Sequence, residues 1–240
     1  MDTFLFDLDG TMLPMDQDKF VKIYFNALTV KFAQLGYDSE NTMKAFIKSL
    51  DKMIINDGSS TNEEVFWKSF SELMGDDVLS AKDEFVSFYK NEFKSAKSAT
   101  WVSEYAPQDI KILKQKGYQV VAATNPLFPQ VATYTRMKWA GLNIDDFLHI
   151  TTYENSKYCK PNTEYYREIM NKIGKEPQDC IMVGNDISED IAAGQKAGIG
   201  TFLIEDCLIN SNGLHVSADH CGSYKDFHEF VLQLEPAAVK

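Results

Sequence analysis

Residues 3–11 read Thr-Phe-Leu-Phe-Asp-Leu-Asp-Gly-Thr, and the fold of the chain follows from this stretch. Its first four residues form a short, aromatic-rich run, which is typical of a buried strand in a parallel sheet. Side chains alternate along a strand, so Asp7 and Asp9 can address the same space. Gly10 permits a sharp turn directly after them. Because neighbouring carboxylates repel each other, they favour a cation or a shared proton, and the stretch predicts a Mg²⁺ site combined with acid–base chemistry.

The second half of the chain alternates predicted strands with predicted helices. The strands are 118–123, 147–151, 180–183 and 201–204, and the helices are 108–116, 131–140, 162–173, 187–197 and 224–234. This alternation predicts right-handed crossovers and a parallel sheet. Thr124 and Asp186, like Asp7, directly follow a strand, so we expect them at the carboxyl edge where such sheets bind ligands. The predicted fold is α/β, with a Rossmann-like, doubly wound parallel sheet.

Residues 15–97 show only helical signals between the first strand and the others. The predicted helices there are 16–35, 42–55, 61–75 and one from 76 or 77 to about 94. The apolar residues recur at helical spacing, and glycines end several of the runs. We therefore predict an inserted all-helical cap domain at 15–97 and a core domain made of 1–14 and 98–240.

Composition narrows the classes of partner. The chain has 240 residues, a net charge of −11 and 44% hydrophobic residues. The acidic balance argues against nucleic acid or an anionic membrane as a main partner, and no apolar run approaches the roughly 20 residues of a membrane helix. The four cysteines lack zinc-ligand spacing and are expected to be free thiols. We expect a cytoplasmic, soluble protein whose oligomeric state the sequence does not indicate.

The segment from Asp7 to Thr11 resembles motif I of the haloacid dehalogenase-like (HAD) hydrolase superfamily. The resemblance implies that Asp7 is the nucleophile and forms an aspartyl-phosphate. It also implies that Asp9 protonates the leaving oxygen and then activates water. That role requires Asp9 to hold a proton near neutral pH, which a neighbouring carboxylate and burial would favour.

Two further segments resemble the family's second and third motifs. Thr124-Asn125 is similar to motif II, which binds the phosphoryl group, although the same pair could simply cap a helix. Lys160-Pro161 is similar to motif III, whose lysine neutralises the nucleophile and the phosphate. Lys157, one helical turn earlier, is the rival lysine. Lys160 is preferred because the family has Lys-Pro at a helix start, where proline suits the first position.

Residues 184–190, Gly-Asn-Asp-Ile-Ser-Glu-Asp, resemble motif IV. The resemblance implies that Asp186 binds the metal directly and that Asp190 lies behind it, holding Lys160 or a metal-bound water. Asn185 stands where the family often has its first aspartate, so it remains an alternative ligand position. The implied Mg²⁺ shell consists of oxygens from Asp7, the Asp9 carbonyl, Asp186, the substrate phosphate and water.

The resemblance predicts a Mg²⁺-dependent phosphatase that acts on a small phosphomonoester through an aspartyl-phosphate. Asp9 favours phosphoryl transfer because the haloacid dehalogenases lack an acid at that position. A phosphomutase of the β-phosphoglucomutase type is the alternative, with Asp9 serving a sugar hydroxyl instead of water. A non-catalytic binding protein on the same fold is a third hypothesis. It is disfavoured because the charged motif residues Asp7, Asp9, Lys160 and Asp186 are all present. The physiological substrate is not indicated.

Overall fold

A six-stranded parallel sheet organises the part of the chain that the computed structural model describes, residues 1–237. The strands are β1 Thr3–Phe6, β2 Gln119–Ala122, β3 His149–Ile150, β4 Cys180–Gly184, β5 Gly200–Ile204 and β6 His220–Gly222. Their order is β3-β2-β1-β4-β5-β6, and all the pairings are parallel. This is the strand order of Rossmann-like sheets, and the predicted α/β fold class is confirmed. The short edge strand β6 was not predicted.

Strand β1 lies in the middle of the sheet. It pairs with β2 on one side and β4 on the other, in a register that places Phe6 opposite both Ala122 and Val183. All four of its residues are buried. The backbone N–H of Asp7 continues the ladder by donating to the carbonyl of Val183 at 2.9 Å. The acidic turn therefore starts at the carboxyl edge, between the ends of two neighbouring strands.

The helices follow the predicted pattern closely in most places. They are α1 Gln17–Gln34, α2 Ser39–Ile54, α3 Asn62–Met74, α4 Lys82–Lys90, α5 Ala106–Gln115, α6 Gln130–Trp139, α7 Thr163–Ile173, α8 Ala193–Lys196 and α9 Tyr224–Gln233. Residues Ile187–Ala192 form a π-helical segment that leads into α8. Capping follows the sequence, as where Thr61 and Glu64 form a reciprocal capping box at the start of α3.

Two local predictions were wrong. The single helix expected from about 76 to 94 divides into a 3₁₀ segment Asp76–Ala81, α4 and a 3₁₀ segment Glu92–Ala99. Serine hydroxyls in both 3₁₀ segments donate to the carbonyl three residues earlier, as Ser80 does to Asp77, and so compete with regular α-helical bonding. Pro161 is not in the first turn of α7, because Asn162 caps that helix by accepting from the Glu164 N–H.

Two adjacent backbone segments join the helical part to the sheet. Met15 and Thr100 form an antiparallel bridge. Asp16 N donates to Ala99 O at 2.9 Å, and Trp101 N donates to Pro14 O at 3.0 Å. The buried hydrophobic core is continuous from the sheet into helices α1–α4. The domain boundaries remain a prediction, and the last three residues of the predicted core domain, 238–240, lie outside the described residues.

Within residues 1–237, none of the helices has both the length and the apolar character that crossing a bilayer requires. The four cysteines are free thiols, with Cys159 and Cys180 buried and Cys221 exposed.

Candidate active site

A cleft of about 340 Å³ opens at the carboxyl edge of the sheet, beside the end of β1. Most of its lining residues carry polar or charged side chains, and several belong to the sequence-predicted site. The lining consists of Asp7, Asp9, Gln17, Thr124, Asn125, Leu127, Phe128, Asn185, Asp186, Glu189, Asp190, Ile209 and Ser211. Residues from four distant parts of the sequence therefore meet at one place, as expected for strands that end at a common edge.

Lys160 places a buried cation beside the first aspartate. Its Nζ lies 2.8 Å from Asp7 Oδ1 and 2.6 Å from Asp190 Oδ1, and its side chain has no exposed surface. Burial lowers the pKa of Lys160, but the nearby Asp190 and Asp7 carboxylates outweigh it and hold that pKa well above the ordinary value. Lys157, the rival lysine, is exposed at the surface. The structure therefore brings Lys160, and not Lys157, to Asp7.

Asp190 is held from two directions. Its Oδ1 accepts from Lys160, and its Oδ2 accepts from the backbone N–H of Asp186 at 3.0 Å. Its side chain is almost fully buried. Asp190 thus fixes Lys160 and the start of the segment that carries Asp186.

Asp9 forms an ion pair with Arg136, which the sequence analysis did not single out. Arg136 lies on α6, is fully buried, and stacks its guanidinium 4.1 Å from the centre of the Phe128 ring. Burial raises the pKa of Asp9 to about 6, with Arg136 opposing and Asp7 adding to the rise. The Oδ1 atom of Asp9 is buried and has no hydrogen-bond partner among residues 1–237. One carboxylate oxygen is therefore held by Arg136, while the other is buried and has no hydrogen-bond partner among these residues.

The predicted pair Thr124-Asn125 does not cap a helix. Helix α6 begins at Gln130 with Pro129 as its cap, several residues further on. The carbonyl of Thr124 is fixed by two buried hydroxyls, those of Thr151 at 2.6 Å and Tyr165 at 2.9 Å. Both residues of the pair line the cleft. Both residues thus border the space beside Asp7, and the side-chain amide of Asn125 donates to Glu189 at 3.0 Å.

Glu189 is a further acid that the sequence analysis did not assign. Its Oε2 accepts from Asn125 Nδ2 at 3.0 Å, and the residue lines the cleft. Burial raises the pKa of Glu189 to about 8, and Lys160 opposes that rise. Glu189 lies within the segment 184–190 that resembles motif IV, directly before Asp190, and this position was the sequence signal that could have identified it.

Asn185 and Asp186 use their side chains differently. Asn185 accepts from Thr11 Oγ1 at 2.8 Å and donates to the carbonyl of Cys207 at 2.7 Å, so both ends of its amide are engaged. This amide also packs against Gly10. A Cβ at that position would collide with the amide, and the φ of +88° is one that glycine adopts readily. Asp186 Oδ1 accepts from the N–H groups of Ser188 and Glu189, each at 2.8 Å.

The donor atoms around Asp7 suit a hard divalent cation. Lys160 engages one carboxylate oxygen of Asp7, the helix start engages one of Asp186, and the Asp9 carbonyl accepts no hydrogen bond within residues 1–237. No group of three or more His, Cys, Asp or Glu side chains among those residues is placed to hold a metal. Two carboxylates and a main-chain carbonyl nevertheless fit Mg²⁺, which usually keeps several waters and binds a substrate phosphate.

The fold and the cleft define the class of protein as a Rossmann-like α/β protein with a cluster of acids at the end of its central strand. Residues 1–198 match the family model described as haloacid dehalogenase-like hydrolase. The chain therefore belongs to the haloacid dehalogenase-like hydrolases, and the resemblance read from its four motifs is confirmed.

Two curated relatives carry phosphatase names. Pyrophosphatase PpaX from Bacillus velezensis is 31% identical over 121 residues, covering 50% of this chain and 54% of that protein. Glyceraldehyde 3-phosphate phosphatase from Methanothermobacter thermautotrophicus is 27% identical over 104 residues, covering 43% of this chain and 45% of that protein. The matched region thus spans about half the length of these relatives.

Solved structures with the same fold include both phosphatases and dehalogenases. A HAD phosphatase from Thermococcus onnurineus superposes with a TM-score of 0.60 at 20% identity, covering 99% of this chain and 100% of that one. A 2-haloacid dehalogenase from Pseudomonas syringae superposes with a TM-score of 0.64 at 17% identity, covering 97% and 98%. At these identities the likeness establishes the fold and does not distinguish the two reactions.

Proposed function

We propose that the chain is a Mg²⁺-dependent phosphatase that hydrolyses a small phosphomonoester through an aspartyl-phosphate on Asp7. The observation that carries the proposal is the buried Lys160, whose Nζ is shared between Asp7 and Asp190 at the end of β1. A cation fixed there offsets the repulsion between a carboxylate nucleophile and a phosphate dianion. The phosphatase names of the two curated relatives support the same reaction.

In the first step, a carboxylate oxygen of Asp7 attacks phosphorus. A bond forms between that oxygen and phosphorus while the bond from phosphorus to the leaving oxygen breaks, and Asp9 gives its proton to the departing alcohol. Lys160 balances the charge on Asp7, and the Thr124 hydroxyl and the backbone N–H of Asn125 donate to the transferring phosphoryl oxygens. Asp7, the Asp9 carbonyl and Asp186 would hold a Mg²⁺ ion, which would shield the phosphate charge.

In the second step, Asp9 takes a proton from a water molecule whose oxygen attacks phosphorus. The bond between phosphorus and Asp7 then breaks, which releases inorganic phosphate and restores the carboxylate. Both steps require Asp9 to face the leaving or attacking oxygen. Its unpartnered Oδ1 supports this role because a buried polar atom gains a hydrogen bond when a ligand arrives.

Asp9 also favours phosphatase over dehalogenase chemistry. Displacing a halide from a 2-haloacid needs no acid to protonate the leaving group, whereas an alkoxide leaves readily only when it is protonated. Here a carboxyl group with a pKa raised to about 6 lies beside the nucleophile. The proposal therefore uses a residue that a dehalogenase would not need.

A paired substrate assay tests the proposal. The purified chain is incubated with Mg²⁺ and either p-nitrophenyl phosphate or 2-chloropropionate, and phosphate and chloride release are measured. We expect phosphate release and no chloride release. Chloride release without phosphate release would overturn the proposal. A screen of sugar phosphates, nucleotides, phosphoglycolate and pyrophosphate then identifies the preferred leaving group.

A further inference from the structure

We infer that Arg136 is the positioning residue for Asp9, holding one oxygen of that carboxylate so that the other faces the reacting oxygen. The inference rests on the proposed function, because it assigns Asp9 the proton-transfer role. It concerns an ion pair between the turn after β1 and helix α6.

The burial of Arg136 shows that its charge is directed inward. Its side chain has no exposed surface, although arginine is rarely buried unless it is paired. Its Nη1 donates to Asp9 Oδ2, and its Nη2 lies 3.4 Å from Thr133 Oγ1 on the same helix. Asp9 is its ion-pair partner, and no second carboxylate within residues 1–237 forms a salt bridge with it.

Aromatic packing fixes the guanidinium on its other side. The group lies over Phe128 at 4.1 Å from the ring centre. Phe128 in turn packs against rings of the helical segment, with centroid distances of 5.4 Å to Tyr24 and 5.9 Å to Phe93. Phe93 also stacks on Trp139 of α6 at 5.5 Å. Arg136 is therefore clamped where the helical segment meets the sheet, and its fork has little freedom to move.

The contact from the immobilised Nη1 of Arg136 to Oδ2 restricts rotation of the Asp9 carboxylate. Without it, either oxygen could turn toward the cleft, and the fraction of molecules with a productive geometry would fall. Productive geometry contributes strongly to rate, and small displacements of a reacting group are costly. Oδ1 is the buried atom left without a partner within residues 1–237, and an unsatisfied buried oxygen gains most from a hydrogen bond that a ligand brings.

The test compares Arg136→Met and Arg136→Lys with Asp9→Asn in kinetics with p-nitrophenyl phosphate and a slower alkyl phosphate. Acid–base catalysis typically contributes about 10²–10⁴-fold, so Asp9→Asn should lose a factor in that range. Arg136→Met should lower kcat by roughly 10–100-fold with little change in KM, and lysine should restore part of it. Lys138→Met, an exposed charge on the same helix, serves as the matched control.

The double variant Asp9→Asn with Arg136→Met decides the mechanism. If Arg136 acts through Asp9, the double variant is no slower than Asp9→Asn alone, because residues that work as a unit are not additive. Losses that multiply, or an Arg136→Met variant with unchanged kcat, would overturn the inference. Arg136→Met leaves the Asp9 carboxylate buried without its partner and could therefore fold poorly. In that case Arg136→Lys and the double variant, in which the Asp9 charge is also removed, still report the coupling. Full activity in Asp9→Asn would refute the proposed function instead.

Discussion

The Nζ of Lys160 lies 2.8 Å from Oδ1 of Asp7, although 153 positions separate the two residues in the chain. The contact forms because the turn after β1 and the segment before α7 meet at the same edge of the sheet. The same ammonium contacts Asp190 at 2.6 Å, so one buried cation serves two carboxylates. The positive charge beside Asp7 is thus supplied by the fold, in a chain whose net charge is −11.

Replacing Lys160 by methionine should abolish phosphate release and destabilise the protein. Asp7 and Asp190 would lose their cation in a buried site, and breaking such a pair typically costs about 3–5 kcal/mol of unfolding free energy. Urea unfolding and a phosphate assay measure the two effects. The exposed Lys157→Met is the matched control and should change neither. Adding Asp190→Asn to Lys160→Met should recover part of the stability but no activity, and normal turnover in Lys160→Met would contradict the account of the site.

Asp7→Asn should eliminate turnover and phosphoenzyme formation while leaving the fold intact. An amide of the same shape cannot act as the nucleophile, and Lys160 keeps its contact with Asp190. Acid-quenched protein is examined by mass spectrometry for an added phosphoryl group, and circular dichroism reports the fold. The exposed Asp145→Asn should behave as wild type. Full activity in Asp7→Asn would exclude Asp7 as the nucleophile.

Removing divalent cations with a chelator should stop activity, and adding Mg²⁺ should restore it. Asp186→Asn should raise the Mg²⁺ concentration needed for half-maximal activity, because it weakens one anionic oxygen donor. Asn185→Ala should act mainly on stability, since its amide joins Thr11 to Cys207. Titrations of activity with Mg²⁺, together with unfolding curves, separate the two variants. A larger Mg²⁺ shift in Asn185→Ala than in Asp186→Asn would transfer the ligand role to Asn185.

Asp109 should make the stability depend on pH in an unusual direction. It is buried on α5, its Oδ1 lies 2.5 Å from Nδ1 of His228 on α9, and burial raises its pKa from 3.8 to about 6, with His228 opposing. Between these values the folded state binds more protons than the unfolded state, so this contribution to stability is present below pH 3.8 and disappears as pH rises through 6.

The measurement compares urea unfolding of wild type and Asp109→Asn at several pH values across that window. Relative to the variant, wild type should lose up to about 3 kcal/mol of unfolding free energy as the pH rises. Asp145→Asn controls for the removal of an exposed carboxyl. Parallel pH curves for wild type and Asp109→Asn would contradict the prediction.

Features with a local signature could be predicted from the sequence. The central strand and its acidic turn were indicated by a short aromatic run followed by two aspartates and Gly10. Strand periodicity and glycine conformation are local properties, so the sequence alone shows them. The alternation of strands and helices then predicted the parallel sheet and the edge at which Asp7, Thr124 and Asp186 lie, whereas Lys160 was assigned from its resemblance to motif III. Each of these residues lies within three positions of a strand end or a helix start.

Arg136 could not be found in the same way. A charged residue near the end of a helix is normally exposed to water, and its inward direction depends on tertiary packing against Phe128 and Asp9. The one available signal was its spacing of four from both Ala132 and Ala140, which are buried. The position of Pro161 was misread for a related reason, because the Asn162 cap competes with proline for the start of α7.

The placement of β1 between two paired strands has a consequence for how the molecule fluctuates. Opening β1 requires breaking the ladders to both β2 and β4, so its amide hydrogens should exchange with solvent at rates close to those set by global unfolding. Local opening of surface loops does not break the hydrogen bonds of this strand. Asp7, the proposed nucleophile, is thus attached to the strand that we expect to unfold only when the whole sheet unfolds.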